Sequence, residues 1–404
     1  MKPIALIVSE HESSNLGDQA IARSLESLLS RRFDVRFLSF GGRCRSSSQV
    51  ALSFYKRKLS FFRWLAKIFS PKIKARIRWY ILGGRRGFRN YCMSPIRESS
   101  IVIVGGGQLV KNNVALFCDR LSVIDGVARD FNVSVALVGV GVDQKMNVLT
   151  WGLARGLIKN SEFIMARDDI SRRRILRNSD YSGRCLTLPD AAFALDNPGF
   201  SASKQRSRLS AGINIMSGSA LLYGKSADAC FSQLNISRRY CQIVKDMYEE
   251  GISCVIFTSG SPEDLVEAEN VKKIIFNEAG FDVPVFHPQS LDELLAFLST
   301  VYHVVAARMH VGILSYISGC NPVCINWDDK VYGVWSAVGQ ENRVVELDYF
   351  LKNESKDNFI KKIHSLKAPS FQDVCDLRTK VRLEIIKEFD RALAKANNSS
   401  VAIR

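Results

Sequence analysis

The stretch Ile101-Val102-Ile103-Val104-Gly105-Gly106-Gly107-Gln108 runs four β-branched residues straight into three glycines. An apolar run without polar alternation predicts a strand covered on both faces, and the glycines at its end let a ligand approach the backbone closely. The same design recurs at 133–138, which leads into Gly139-Val140-Gly141-Val142. Working outward, apolar strands are predicted at 4–8, 33–40, 163–166 and 185–188, most of them followed by an amphipathic stretch. A second set is predicted at 211–215, 253–257, 283–286, 303–306 and 322–326. Helical apolar spacing lies between these at 240–250, 262–277, 291–298 and 311–318, with Ser290 and Glu293 forming a capping box. Continuous apolar strands alternating with helices imply an α/β protein with two Rossmann-like, doubly wound domains. Two such sheets facing a cleft would line it with the carboxyl ends of their strands, where ligands bind in open sheets. The polar stretch at 196–210, with Pro198 and Gly199, separates the sets. It gives a first domain at 1–197, a linker at 198–210, a second domain at 211–370, and a C-terminal helix and tail at 371–404 that is expected to pack back across the junction.

With 404 residues, 47% hydrophobic and 24% charged, the chain can bury two ordinary cores, which excludes a disordered protein. The ten cysteines include no CxxC pair, and no N-terminal signal pattern is read at Met1 to Ser9. Reduced, mostly buried thiols in a cytoplasmic protein are therefore expected.

Net charge is +16, and its distribution is uneven. From Arg43 to Arg97 inclusive there are fifteen Lys and Arg residues without one Asp or Glu, interleaved with Phe54, Tyr55, Phe61, Phe62, Trp64, Phe69, Trp79 and Tyr80. Residues 43–97 read as an insertion after the second strand. No run in it reaches the roughly 20 apolar residues that cross a bilayer. Residues 54–80 suit an anionic membrane surface, peripheral at the inner face, better than a solvated or partner-covered helical face. Nucleic acid is the least favoured partner, because the motifs elsewhere suit small-molecule chemistry.

Those motifs sit at strand ends. Asn15-Leu16-Gly17-Asp18 follows the first strand, where Gly17 permits a tight loop and Asp18 can cap the next helix, offering backbone N–H groups to an anion. Gly106 and Gly107 provide close backbone approach. Gln144 stands where a dinucleotide fingerprint after Gly139 and Gly141 would need its third glycine, so no nicotinamide cofactor is expected. Arg167 and Arg308 each directly follow an apolar strand, where a guanidinium suits bidentate capture of carboxylate or phosphate. His310, two residues after Arg308, can act as a general acid or base near neutral pH. His11, His287, His303 and His364 read as structural. No His, Cys, Asp and Glu cluster has metal-ligand spacing, so no metal is expected.

Taken in order, Asn15-Leu16-Gly17-Asp18, Gly105-Gly106-Gly107, Arg167-Asp168-Asp169-Ile170-Ser171, Pro189-Asp190-Ala191-Ala192-Phe193, Arg308-Met309-His310, Pro322 and Asp328-Asp329-Lys330 resemble the polysaccharide pyruvyl transferases. The resemblance covers most of the chain apart from the basic segment and the C-terminal tail. It implies a fold like the GT-B glycosyltransferases, with phosphoenolpyruvate as co-substrate and no further cofactor. The implied reaction moves pyruvate as a cyclic ketal onto two hydroxyls of a sugar in a surface polysaccharide or its lipid-linked precursor. It implies that Arg167, Arg308 and His310 form the donor site, with Met309, Gly106 and Gly107 beside them. His310 is the candidate for proton transfer and Asp190 a candidate partner carboxylate. Asn15, Gly17, Asp18, Asp329 and Lys330 are candidates for an acceptor or anion site. Trp327 stands where the family tends to have tyrosine, and the long basic segment replaces a shorter loop; both bear on the acceptor more than the donor. Two other readings remain: a sugar-nucleotide glycosyltransferase, and a non-catalytic RNA-binding or scaffolding protein that draws on the basic segment.

Overall fold

Each expected apolar run forms a strand, and among the described residues every strand pairing is parallel. The computed structural model describes residues 2–40, 71–111, 116–144, 146–197, 200, 207–222, 233–352 and 356–401. Its first sheet has the order β2-β1-β3-β4-β5-β6, from β1 (Ile4–Ser9), β2 (Asp34–Ser39), β3 (Ile101–Val110), β4 (Ser134–Val142), β5 (Ser161–Ala166) and β6 (Arg184–Thr187). The second has the order β12-β11-β10-β7-β8-β9, from β7 (Ser210–Asn214), β8 (Ser253–Phe257), β9 (Val285–Phe286), β10 (His303–Ala306), β11 (Asn321–Asn326) and β12 (Val344–Glu346). Parallel pairing requires crossovers over the sheet faces, and the helices supply them. β12 has only three residues, too short a run to show a period.

Two compact units result. One comprises Met1–Glu12, Leu28–Thr187 and Glu388–Arg404, the other Ser13–Ser27 and Leu188–Lys387. The motif Asn15 to Asp18 thus belongs with the second sheet, although it follows a strand of the first. In the first unit, Leu6, Val8, Val102, Val104, Leu137 and Ile164 form a core with Leu121, Ile124 and Leu157. In the second, Ile213, Ile256, Val305, Val323 and Ile325 do so with Ile236, Tyr240, Val271, Phe350 and Phe359. Each fully buried aliphatic or aromatic side chain stabilises its unit by roughly 1.5–3 kcal/mol relative to exposure. The long final helix, Phe371–Val401, has residues in both units: Val374, Val381 and Ile385, in the part that belongs to the second, are buried, and Phe389, in the part that belongs to the first, packs edge-on to Phe163 at 5.2 Å. The linker expected at 198–210 lies mostly outside the described residues.

Residues 41–70 of the basic segment lie outside the described residues. Its remainder forms helices α2 (Pro71–Tyr80) and α3 (Gly84–Glu98). Trp79, Phe88, Cys92 and Ile96 are buried in the first core, so this half is the crossover from β2 to β3 rather than an appendage. Helical spacing from Phe88 through Cys92 to Ile96 sets one apolar face inward, a pattern hidden in the sequence by the surrounding arginines.

The eight described cysteines carry no disulfide. Burial pushes the Cys92, Cys118 and Cys324 thiols up to about 12, so they remain protonated. Ser290 caps the helix Leu291–Leu298 by accepting from Glu293 N at 3.2 Å, but the Glu293 carboxylate turns back to Gln289 N at 2.9 Å instead of to Ser290. His303, at the start of β10, is buried and accepts from Asn321 Nδ2 at 3.3 Å through Nδ1. Burial foremost, then His364 and Arg208, lowers its pKa from 6.5 to about 4. A depressed histidine pKa means that the unfolded chain takes up a proton the folded chain refuses. The stability His303 contributes is therefore complete above about pH 6.5 and is lost as pH falls towards 4. Urea unfolding should show a lower midpoint at pH 4.5 than at pH 7.5, with a smaller difference in His303→Gln; an unchanged difference would remove His303 as its source.

Candidate active site

Helix α1 (Leu16–Leu29) begins earlier than expected, which changes the roles of its motif residues. Asn15, not Asp18, caps it: Asn15 Oδ1 accepts from Gly17 N at 3.2 Å, and the Asn15 carbonyl accepts from Asp18 N at 3.0 Å. Asp18 lies in the first turn and accepts from Asn15 Nδ2 at 3.0 Å. Gly17 forms no loop. A Cβ at Gly17 would overlap the Cβ and Nδ1 of His310, so glycine here admits the imidazole against the helix. The start of α1 rests on the loop after β8, where Leu16 N donates to the Ser259 carbonyl at 3.0 Å. Gly260, at φ +92°, clears Ser14 and Leu16 there as no larger residue would.

His310 lies in the first turn of the helix Met309–Ile317, which follows β10. Its ring is nearly buried, and Nε2 stands 3.4 Å from Asp190 Oδ2, whose carboxylate is fully buried. That separation is within ion-pair reach and long for a hydrogen bond, a geometry that commonly tightens when substrate arrives. The other Asp190 oxygen accepts from Ala192 N at 3.0 Å and fixes the 3₁₀ turn Ala191–Ala194. Ser24 of α1 donates to the Ala191 carbonyl at 2.7 Å, and Arg382 donates to the Ala194 carbonyl at 2.8 and 3.0 Å, so this turn is held from two sides. A buried carboxylate beside one ring nitrogen selects the imidazole tautomer and orientation. Asn15, Gly17, His310 and Asp190 are thus assembled in one unit.

Arg308 occupies the position just before the same helix and is held by a residue that the sequence reading missed. Its Nε and Nη2 donate to Asp264 Oδ2 and Oδ1 at 2.9 and 2.8 Å, and its backbone N donates to Asn214 Oδ1 at 2.9 Å. Asp264 is fully buried and also accepts from Ser217 N at 3.0 Å. In the sequence it reads as an ordinary acidic residue in the first turn of the helix Pro262–Ala279, with nothing to mark it as buried. Met309 is a core side chain. Asp329 begins the helix Asp329–Ser336 under an Asp328 cap, and Lys330 Nζ lies 4.0 Å from the centre of the Trp327 ring.

The remaining candidates belong to the first unit. Gly106 and Gly107 lie within β3 at φ +75° and +81°, where the register with β4 slips before Val110. They form a bulge inside a strand rather than a loop after it. Arg167 directly follows β5 and is buried; its Nε meets Asp168 Oδ2 at 3.4 Å. A Cβ on Gly141 would strike its guanidinium, so the second glycine of β4 makes room for this arginine. Asp168 caps the helix Asp169–Asn178 through Ser171 N at 2.6 Å, and Ser171 Oγ accepts from Val142 N at 3.0 Å. His11 and His287 have local partners in Ser9 and Thr258. Among the described residues no group of three or more His, Cys, Asp and Glu could hold a metal ion.

The fold is similar to that of three solved proteins. UDP-GlcNAc 2-epimerase from Neisseria meningitidis, bound to UDP-GlcNAc, superposes with a TM-score of 0.52 at 10% identity, over 96% of this chain and 100% of that one. MnaA from S. aureus, solved with UDP, gives 0.55 at 8% identity over 98% and 97%. HepE from Anabaena, in complex with UDP-glucose, gives 0.50 at 7% identity over 97% and 100%. At such identities the likeness shows the fold alone, the GT-B-like pair of Rossmann-like sheets. Among curated proteins none matches the sequence. The family model for polysaccharide pyruvyl transferases matches residues 15–329, from the Asn15 cap through His310 to Asp329, and the chain belongs to that family.

Proposed function

We propose that the protein transfers pyruvate from phosphoenolpyruvate, as a ketal, onto two hydroxyls of one sugar in a surface polysaccharide or its lipid-linked precursor. The observation that carries this reading is the placement of His310 against Gly17, with Asp190 behind the ring and Arg308 on the same helix end. Phosphoenolpyruvate brings a phosphate and a carboxylate, and Arg308, in the same unit as His310, is the guanidinium assigned to one of them. Asp264 holds the Arg308 fork on two nitrogens, which leaves its remaining nitrogen for the donor and fixes its direction.

The chemistry balances without an external reagent. A proton adds to the methylene carbon and makes it a methyl group. One sugar oxygen bonds to the central carbon and loses its proton. The carbon–oxygen bond to phosphate breaks, and the second hydroxyl oxygen bonds to the same carbon, its proton leaving with phosphate. His310 moves the proton between the first hydroxyl and the methylene carbon. Asp190, beside Nε2, orients the imidazole for that transfer.

A melting experiment tests donor recognition without an acceptor. Phosphoenolpyruvate at about 100 times its dissociation constant should add about 2.7 kcal/mol of stability, and the shift should vanish in Arg308→Ala. A shift with nucleoside diphosphates and none with phosphoenolpyruvate would transfer the assignment to a sugar-nucleotide glycosyltransferase.

A further inference from the structure

We propose that the turn between α2 and α3, Ile81 and Leu82 with Arg76, Arg78, Arg85 and Arg86 around it, docks the protein on an anionic membrane surface. Ile81 is 71% exposed, Tyr80 50%, Ile73 44% and Leu82 37%, four large apolar side chains within ten residues. They do not protrude for want of packing nearby. Trp79 and Phe88, on either side of the turn, are both buried with ring centres 5.7 Å apart, and the Arg120 guanidinium lies over both rings. The turn is therefore pinned with its apolar residues outward, an arrangement that water alone does not favour.

The charge around it is mostly positive. Arg76 and Arg85 both act electrostatically on the Tyr80 hydroxyl, which places cations and exposed apolar groups in one patch. Two carboxylates are near: Asp119 accepts from the Tyr80 hydroxyl, and Asp130 pairs with Arg89. Among the described residues Arg76, Arg78, Arg85 and Arg86 make no ion pair. Aliphatic side chains that enter the headgroup boundary, ringed by cations that meet lipid phosphates, suit an anionic bilayer surface. Single-stranded nucleic acid would use the cations but stacks its bases on aromatic rings, and of the four exposed apolar side chains Tyr80 alone carries one, with its hydroxyl held by Asp119.

The turn's place in the fold gives the docking a consequence. α3 is the crossover into β3, so it runs antiparallel to the strands and starts at their carboxyl edge. The bond from Tyr80 to Asp119, in the first turn of the helix that follows β3, holds the turn at that edge. Gly106, Gly107, Gly141 and Arg167 lie at the same edge of the same sheet. Docking would thus turn this edge towards the headgroups, where a lipid-linked acceptor would be met; that last step alone rests on the function proposed above.

Flotation of the full-length protein with vesicles of phosphatidylcholine, with and without phosphatidylglycerol, decides the matter, because it requires neither donor nor acceptor. The expected result is binding to the phosphatidylglycerol vesicles only, weakened about 30-fold in Arg85→Ala/Arg86→Ala at low salt. It should weaken at least as clearly in Ile81→Ser/Leu82→Ser. All four residues are solvent-exposed, and an unchanged melting temperature reports an intact fold in both variants. Failure of the wild type to float at low salt overturns the proposal. So does either folded variant floating like the wild type, or loss of single-stranded RNA binding in these variants with flotation unchanged.

Discussion

His310→Ala should lower turnover by about 10² to 10⁴, the range that one positioned proton-transfer group contributes, while phosphoenolpyruvate still raises the melting temperature. The imidazole meets Gly17 on one side and the Asp190 carboxylate on the other, and Arg308 is a separate side chain held by Asp264. Loss of the ring therefore removes the proton carrier without releasing the guanidinium. A rate assay with a pyruvylatable sugar, paired with the melting shift, separates the two roles. Near-normal turnover would take His310 out of proton transfer. A lost melting shift would make it a binding group instead.

The second large effect is on stability. Asp264→Ala should destabilise the protein by about 3–5 kcal/mol, the usual result of removing one partner of a buried ion pair. Arg308 would keep its charge without a counter-ion, and Ser217 N would lose its acceptor inside the protein. The exposed part of Arg308 moderates this loss, because water can reach the guanidinium where its side chain is 22% accessible. Urea unfolding measures the change. A loss below about 1 kcal/mol would mean that solvent or a neighbouring group replaces the carboxylate. The same variant should lose the phosphoenolpyruvate shift, since a released Arg308 fork no longer points in one direction.

Much of the fold was legible because it rests on local patterns. The apolar runs at Ile101 to Val104 and Val135 to Val138 announce buried parallel strands, and arginine or histidine directly after a run marks a strand end. Boundaries were less legible where glycine intervened. β3 and β4 continue through Gly105 to Gly107 and Gly139 to Gly141, because backbone pairing with a neighbouring strand outweighs the conformational freedom that suggests a loop. Of the candidate site, the residue types were legible: Asp190, Arg308 and His310, which share one unit, were singled out, as was Arg167 in the other. The partner of Arg308 was not, since nothing in Ser261-Pro262-Glu263-Asp264 distinguishes a buried counter-ion from a solvated helix start.

The sequence by itself determined the alternation of strands and helices and their division into two sheets, and it named the candidates for anion binding and proton transfer. All of these follow from hydrophobic period and residue chemistry read over short windows. Only the tertiary structure decided that Ser13–Ser27 belongs with the second sheet. It alone made Gly17 a clearance for His310 rather than a turn, brought Asp190 to that ring, and gave Arg308 to Asp264. Those outcomes depend on which distant segments come to share one interior, and burial there acts on contacts between them that no local pattern encodes.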